Sequence, residues 1–262
     1  MDSVSKTLYI PLYGKALVSR KGILLNDPKA EEIWEKEGFA LKGKAASKWL
    51  AYYMAMRARV FDSWLEEKLQ ELPNAVVVHL GCGMDSRNCR VAHSGNSWYD
   101  IDFPDVIAHR SAHYEPKPGY TMVGSDVRDS GYLGRISGDT AIVVMEGLSM
   151  YLTGEELKKL LADLTGRFGR VAILMDCYTE FAARASRYKN PINSVGVTQV
   201  YGLDDPHLLE NGELKFQAEL NMTPEDWIRE LTGMEQRIFR KVYAGRMSKK
   251  LYRMYEFSSK RS

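Results

Sequence analysis

Two glycines and an acidic residue stand where apolar segments of the chain end, which is where α/β proteins bind ligands. The apolar segment from Ala75 to Leu80 is followed by Gly81 and Gly83. Glycines let a chain turn close to a bound molecule because no Cβ is in the way. Asp102 ends a second apolar segment about twenty residues later, the spacing at which Rossmann-type sheets bind a ribose hydroxyl. The sequence therefore predicts a site for a ligand that contains a nucleoside.

The residues after the glycine turn indicate which nucleoside ligand is bound. A dinucleotide site needs a third glycine, which lets a helix N-terminus approach the pyrophosphate, but Ser86 occupies that position. Asp126 and Glu146 also follow apolar segments. Together with Asp102 they would suit a ribose, an adenine amine and a cationic sulfonium or ammonium group, and they would repel a diphosphate. The pattern favours S-adenosylmethionine over a nicotinamide dinucleotide.

Apolar segments alternate with helical segments, an order typical of a parallel, doubly wound α/β sheet. The apolar segments are Ala75 to Leu80, Ser97 to Ile101, Tyr120 to Val123, Thr140 to Met145 and Val171 to Asp176. Thr153 and Glu156 have the spacing of a capping box, which predicts a helix between the last two of these segments. Further on, Arg237 to Val242 and Lys250 to Phe257 are predicted as two last strands, an antiparallel pair joined near Gly245.

The length of 262 residues fits one large domain, and no linker favours two. We predict a single domain with an N-terminal helical cap (1–72), a cofactor-binding core (73–177), a lid or substrate insertion (178–225) and C-terminal strands (226–262). The insertion is predicted because Tyr178 to Gln217 is rich in Asn, Pro, Asp and Gly and is too long for a tight connection.

The composition narrows the possible partners. The 36 Lys and Arg nearly balance the 34 Asp and Glu and are spread along the chain, so nucleic acid is not expected as a partner. No apolar segment approaches the length of about 20 residues that spans a membrane, and the N-terminus lacks the apolar region of a secretion signal. The three cysteines are too few to crosslink a chain of this size. We expect free thiols and a cytoplasmic protein.

Two histidines and two cysteines imitate the spacing of a zinc site: His79, Cys82, Cys89 and His93. The first pair straddles the end of a predicted strand, where side chains at i and i+3 do not converge as they do in zinc knuckles. We therefore predict no metal site and assign His79 to the core.

Five sequence blocks resemble a known family when they are taken in order: MRARVFD, VHLGCGMDSR, WYDIDFPDVI, GSDVRD and MEGLSMYLTGEE. Together they resemble the leucine carboxyl methyltransferase family, including its tetracenomycin-type polyketide O-methyltransferase branch. The blocks extend from about Arg57 to Leu161, and LYIPLYGKALVSRKGILLNDPKAEEI is similar to the N-terminal region of the bacterial branch. The resemblance implies a class I methyltransferase fold with seven strands, the last antiparallel, and S-adenosylmethionine as the methyl donor.

The resemblance also implies a role for each matching residue. Arg59 would bind the methionyl carboxylate, a task that suits a planar guanidinium. The other implied contacts are the backbone at Gly81 and Gly83, the ribose at Asp102, the adenine at Asp126 and Val127, and the methionyl group at Glu146. Other arrangements stay open: Arg57 could turn inward instead of Arg59, Asp100 could compete for the ribose, and Asp102 could merely cap the following helix.

The chemistry of methyl transfer says little about the acceptor. Transfer from a sulfonium is an in-line displacement, so the enzyme mainly aligns the acceptor and excludes water. A carboxylate acceptor is ionised at neutral pH, whereas a phenol would benefit from a general base. The candidate bases are His109, His113 and His207, but the first two lie in the helix after the second strand. The absence of an obvious base favours a carboxylate.

The sequence thus predicts an S-adenosylmethionine-dependent O-methyltransferase that acts on a carboxylate, or a phenol, of a small molecule or a C-terminal peptide. Tyr13, Lys15 and Arg20 are predicted to hold an anionic acceptor, and Tyr151 is predicted to line the reacting centre beside Glu146. The alternatives are a nicotinamide-dependent oxidoreductase and a non-catalytic module that binds S-adenosylmethionine. The missing third glycine disfavours the first, and the intact cofactor residues argue against the second.

Overall fold

The computed structural model describes residues 8–38, 40–41, 43–93, 95–186 and 199–260. Within these residues seven strands form one sheet, in the order β3-β2-β1-β4-β5-β7-β6. Strands β1 to β7 are Val76–Leu80, Trp98–Asp102, Tyr120–Gly124, Thr140–Met145, Arg170–Tyr178, Lys215–Glu219 and Tyr252–Lys260. Strands β1 to β5 are parallel, and β7 is antiparallel to both β5 and β6. The predicted Rossmann-like sheet with an antiparallel last strand is confirmed.

Helices cover both faces of this sheet. Helices α1 to α10 are Tyr9–Arg20, Pro28–Glu37, Lys48–Glu71, Arg87–Arg90, Pro104–Arg110, Gly154–Arg167, Glu180–Ser186, Glu225–Ile228, Gly233–Val242 and Arg246–Leu251. Because successive side chains of a strand point to opposite faces, Val77 of β1 joins a core formed with α1 and α3, whereas Val76 and Val78 join a core formed with α6. Strand β1 is therefore buried on both faces, as its mostly apolar sequence predicts.

The N-terminal helices are fixed beside the end of β1 where the glycine turn lies. Helix α1 passes so close to α3 that a Cβ on Gly14 would lie 3.2 Å from the Cα and the carbonyl oxygen of Ala51. Leu8, directly before α1, reaches the glycine turn, since a Cβ on Gly83 would lie 2.8 Å from its Cδ2. The close packing of α1 on α3 thus places the start of α1 over the turn after β1.

Helix α6 begins with the predicted capping box. Oγ1 of Thr153 accepts a hydrogen bond from the Glu156 amide at 3.2 Å, and the Glu156 carboxylate accepts one from the Thr153 amide at 2.8 Å. Replacing Thr153 with Ala removes the acceptor for an amide at the helix start, so we expect a loss of about 1 kcal/mol in the free energy of unfolding. Urea denaturation measures this loss. A Thr153→Ser variant, which keeps the hydroxyl, should retain most of the stability.

The structure corrects the prediction for the C-terminal segment. Arg237 to Val242 is not a strand but belongs to α9, and β7 pairs instead with Lys215–Glu219, which had been assigned to the lid or substrate insertion. In α9 the apolar residues Met234, Ile238 and Val242 recur every four positions, the period of a helix. Strand β6 is short and lies at the edge of the sheet, and only its Phe216 and Ala218 are half-buried. The described residues 226–260 therefore contain most of α8, all of α9 and α10, and β7, and not only strands.

None of the helices in the described part of the chain combines the length and the hydropathy needed to cross a membrane.

Candidate functional site

The glycine turn after β1 is joined to the end of β2. Gly81 and Gly83 have φ angles of 65° and 49°, a region that favours glycine. The amide of Gly83 donates to Oδ2 of Asp102 at 2.8 Å, and the amide of Gly81 donates to the Ile101 carbonyl at 2.8 Å. Leu148 packs on the turn, since a Cβ on Gly81 would lie 3.1 Å from its Cδ1. The turn and the Asp102 carboxylate therefore form one rigid element.

Asp102 is the carboxylate of β2 that is available to a ligand. Its Oδ1 accepts a hydrogen bond from the Phe103 amide at 2.8 Å, and each carboxylate oxygen retains a further lone pair. Burial raises the pKa of Asp102, although the amides of Gly83 and Phe103 act in the opposite direction. The residue that precedes α5 as its N-cap is Phe103, so Asp102 is not the helix cap considered as an alternative.

Asp100 does not compete for the same role. Its Oδ2 lies 2.5 Å from Nη2 of Arg110 and 2.6 Å from the Tyr120 hydroxyl, and its Oδ1 accepts from the indole of Trp98 at 2.8 Å. Its side chain is fully buried among these groups. Asp100 therefore holds α5 and β3 against β2.

Glu146, directly after β4, lies in a buried network of ion pairs. Its Oε1 accepts a hydrogen bond from Nη2 of Arg57 at 2.9 Å, and Nη1 of the same guanidinium donates to Oδ2 of Asp176 at 3.1 Å. Nζ of Lys15 lies 2.9 Å from Oδ2 of Asp85 and 3.8 Å from Oε1 of Glu146. Residues from α1, α3 and β5 and from the segments that follow β1 and β4 thus meet at the carboxyl edge of the sheet.

The cations of this network keep Glu146 ionised. Burial alone raises the pKa of Glu146, but Lys15, Arg57 and Arg87 together outweigh it and hold the pKa at about 2. For Asp176 burial outweighs Arg57, so its pKa lies above the usual value. Lysine and arginine side chains that bind an acid inside the protein can also bind the carboxylate of a ligand.

Arg59, which was predicted to bind the methionyl carboxylate, lies outside the network. Its Nη1 lies 2.5 Å from Oε1 of Glu230, and its guanidinium lies over the ring of Trp227, 4.6 Å from the ring centroid. Positions two apart on a helix point about 200° apart, so Arg57 and Arg59 cannot both face the sheet. The structure places Arg57 inward, the alternative that the sequence left open.

The two residues predicted to contact adenine follow β3. Val127 is buried, whereas Asp126 is partly exposed and accepts hydrogen bonds from Arg128, from Nε to Oδ1 at 3.0 Å and from Nη2 to Oδ2 at 2.5 Å. The hydrogen bonds from Arg128 lower the pKa of Asp126. Asp126 therefore stays ionised at neutral pH.

The residues predicted to hold the acceptor are separated in the structure. Lys15 is buried in the ion-pair network, whereas Arg20 is exposed and pairs with Glu35 at 2.7 Å. Tyr13 lies against Trp34, with 5.1 Å between the ring centroids. Tyr151 is partly buried in a short 3-10 helix, Ser149–Tyr151, which begins three residues after Glu146. Of these four, Lys15 lies 3.8 Å from Glu146, and Tyr151 follows Glu146 by five residues in the sequence.

The alternative zinc ligands are also separated. Nδ1 of His79 lies 3.4 Å from Oδ1 of Asp100, and Nε2 lies 3.3 Å from Nη1 of Arg87. Cys82 is buried and Cys89 is exposed, and both are free thiols. His79 is therefore a core histidine that contacts charged groups of the network.

Several members of the network were not predicted from the sequence. Arg87 is fully buried and bonds Asp62, Asp85 and Glu146, while Arg90 pairs with Asp27, Asp62 and Asp85. A usable signal was present, because Asp85 and Arg87 directly follow the glycines in GCGMDSR. Both residues are buried, although they follow the glycine turn and do not themselves end a strand.

The seven-stranded sheet with its antiparallel last strand is the fold of class I methyltransferases. The same fold is found in magnesium protoporphyrin IX methyltransferase of Synechocystis with bound S-adenosylhomocysteine, at a TM-score of 0.53 and 14% identity, covering 95% of this chain and 100% of that one. The chain belongs to the leucine carboxyl methyltransferase family, whose model matches residues 5–165. It is an S-adenosylmethionine-dependent methyltransferase.

Two relatives match most of the chain. The tetracenomycin polyketide synthesis O-methyltransferase TcmP of Streptomyces glaucescens is 29% identical over 241 residues, which cover 90% of this chain and 89% of that protein. The S-adenosyl-L-methionine-dependent methyltransferase dpfgK of Gibberella zeae is 28% identical over 234 residues, which cover 80% of this chain and 78% of that protein. The predicted family, the predicted methyl donor and the predicted enzyme class are confirmed.

Proposed function

We propose that this protein transfers the methyl group of S-adenosylmethionine to a carboxylate oxygen of a small molecule or of a peptide C-terminus, with a phenol as the second candidate acceptor. The similarity to TcmP, which is named as an O-methyltransferase, supports oxygen as the acceptor atom. The observation that carries the proposal is the buried ion-pair network around Glu146 at the carboxyl edge of the sheet.

The charges of the network match those of the cofactor. The network contains four cationic side chains and five acidic ones: Lys15, Arg57, Arg87, Arg90, Asp27, Asp62, Asp85, Glu146 and Asp176. With all of them ionised it has one negative charge in excess. S-adenosylmethionine carries a sulfonium, an ammonium and a carboxylate, so it has one positive charge in excess and restores the balance.

Each part of the cofactor is assigned to a group with suitable chemistry. The carboxylate of the methionyl group binds Arg57 and Lys15, which replaces the assignment to Arg59, and its ammonium binds Glu146. The ribose hydroxyls bind Asp102 beside the backbone of Gly81 and Gly83. Adenine lies on Val127, and its amine donates to Asp126. Because these side chains hold the methionyl end of the cofactor, they also orient its methyl group for in-line attack.

A carboxylate acceptor needs no proton removed before attack, so it needs no general base near the network. The positions of the candidate bases agree with this. His109 and His113 contact Glu37, and His207 is exposed beside Glu210. None of the three therefore bonds a member of the ion-pair network among the described residues. Tyr151, near Glu146, is assigned to the acceptor side of the site.

The experiment combines binding with turnover. Calorimetry with S-adenosylmethionine, S-adenosylhomocysteine and NAD should show binding of the two sulfur ligands and none of NAD. Labelled methyl donor is then incubated with carboxylic acids, phenols and C-terminal peptides, and base-labile label identifies a methyl ester. Base-stable label on phenols would select the second acceptor, and failure to bind either sulfur ligand would contradict the proposal. Tyr151→Phe should lower turnover without changing the affinity for S-adenosylhomocysteine.

The same proposal places the protein in the cytoplasm as a single domain, with residues 1–72 as its helical cap. The three free cysteines support a reducing compartment. The contact of Leu8 with Gly83 supports the role of the N-terminal helices as a cover for the cofactor turn.

A further inference from the structure

Two histidines and a glutamate converge at a place that the methyltransferase site does not use. Nε2 of His113 lies 2.6 Å from Oε1 of Glu37, and Nε2 of His109 lies 3.0 Å from the same oxygen. The three donor atoms all lie within 4.8 Å of one another. Glu37 ends α2, His109 lies in α5, and His113 follows one helical turn later. The cluster therefore joins the N-terminal helices to the helix that follows β2.

A tyrosine also contacts this cluster. The hydroxyl of Tyr9 donates to Oε2 of Glu37 at 2.6 Å and lies 3.4 Å from Nε2 of His109, while Oε1 of Glu37 is left to the two imidazoles. Burial raises the pKa of Tyr9, which keeps the phenol protonated as a donor. Ligands of metal sites are commonly oriented by a hydrogen bond of this kind.

One nitrogen of His113 is left without a partner in the described part of the protein. Its Nδ1 is buried, and no described residue bonds it. A neutral imidazole can carry its proton on either nitrogen, so the proton can lie on Nδ1 and leave Nε2 as a ligand.

The geometry points to a new binding site: we propose that Glu37, His109 and His113 bind a divalent transition-metal ion such as Zn²⁺. Two histidines four residues apart and a carboxylate supply the nitrogen and oxygen ligands that this ion prefers. A tetrahedral ion with bonds of about 2.1 Å needs donors about 3.4 Å apart, so the present distances of 2.6 and 3.0 Å have to open by less than 1 Å.

Exposure decides how the ion enters. The side chains of His113 and Glu37 are 3% and 11% exposed, whereas that of His109 is 32% exposed. An ion can therefore approach past His109, and water can complete the coordination from the same side. Lys36 is the nearby cation, but its Nζ is exposed and donates to the Ala112 carbonyl at 3.0 Å.

The bound ion would link two parts of the chain that are far apart in sequence, since 76 residues separate Glu37 from His113. It would hold α2 against α5, next to the start of α1 that covers the glycine turn. From the sequence we predicted no metal site. The sequence alone does not show that Glu37 lies beside the two histidines. The proposal is independent of methyl transfer, and its test does not measure activity.

The full chain is treated with a chelator, dialysed, and titrated with Zn²⁺ by calorimetry and with Co²⁺ by visible absorption. We expect one ion per chain, the absorption of a Co²⁺ site without thiolate charge-transfer bands, and a melting temperature raised by several degrees. His109→Gln and His113→Gln should each weaken Zn²⁺ binding by more than about 100-fold, and Tyr9→Phe by about 10-fold.

Matched controls separate this site from other metal ligands. His207→Gln removes an exposed histidine and Cys89→Ser removes the exposed thiol, and both should bind Zn²⁺ as the unaltered chain does. If His113→Gln fails to fold, the partly exposed His109→Gln still gives the answer. Absence of Zn²⁺ binding, or binding that survives His109→Gln and is lost in Cys89→Ser, would overturn the proposal.

Discussion

Replacing Arg57 with Ala is expected to abolish binding of S-adenosylmethionine and to destabilise the fold by about 3–5 kcal/mol. The guanidinium bonds Glu146 at 2.9 Å and Asp176 at 3.1 Å, and its side chain is 4% exposed. Without it, two acidic side chains are left buried with too few cations, and the methionyl carboxylate loses its proposed partner. Urea denaturation measures the first effect, and calorimetry with S-adenosylhomocysteine measures the second.

Arg59 provides the matched control on the same helix. Its side chain is 30% exposed, and its partner Glu230 is 36% exposed, so Arg59→Ala should cost about 1 kcal/mol or less and leave the affinity for S-adenosylhomocysteine unchanged. Arg57→Lys keeps the charge but cannot bond both acids in one plane, so an intermediate loss is expected and the variant serves if Arg57→Ala does not fold. Loss of affinity in Arg59→Ala but not in Arg57→Lys would instead support the assignment made from the sequence.

The sheet could be predicted because buried parallel strands are recognisable in sequence. Segments such as Thr140 to Met145 are apolar without interruption, and the observed strand has the same bounds. The carboxyl ends of such strands must meet at one edge of the sheet. The order of the segments alone therefore predicts that the glycine turn and Asp102 lie close together, as they do.

The choice between Arg57 and Arg59 could not be made in the same way. Helix α3 has buried apolar residues on several sides, including Tyr52, Tyr53 and Phe61, so its sequence pattern does not show which side faces the sheet. The orientation is decided by packing against α1 and β4, which are far away in sequence.

Lys15 shows a second limit of sequence reasoning. A lysine in a short helix is usually solvated, and only its partners reveal that this one is 2% exposed. Those partners, Asp85 and Glu146, come from two other parts of the chain. Ion pairs between distant residues leave no periodic signal, so the network had to be found in the structure.

Replacing Glu146 with Gln is expected to lower the free energy of unfolding by about 3 kcal/mol at neutral pH, because Arg57, Arg87 and Lys15 lose the charge that they surround. The sign of the pH dependence follows from the pKa of Glu146, which falls from its usual value of 4.5 to about 2 on folding. A carboxyl group with a lowered pKa stabilises the fold above its unfolded pKa, and this contribution is lost as the pH falls toward its folded pKa.

The difference in the free energy of unfolding between the unaltered protein and Glu146→Gln should therefore be constant above about pH 5. It should shrink between pH 4.5 and 2. Urea denaturation at a series of pH values measures it. Asp85, whose pKa is also lowered because nearby cations outweigh its burial, still titrates in the variant, so acid destabilises both proteins. Glu155→Gln, at a side chain that is 88% exposed, should follow the unaltered protein at every pH. A difference that stays constant down to pH 2 would mean that Glu146 does not titrate in this range, and that its loss acts through packing instead of charge.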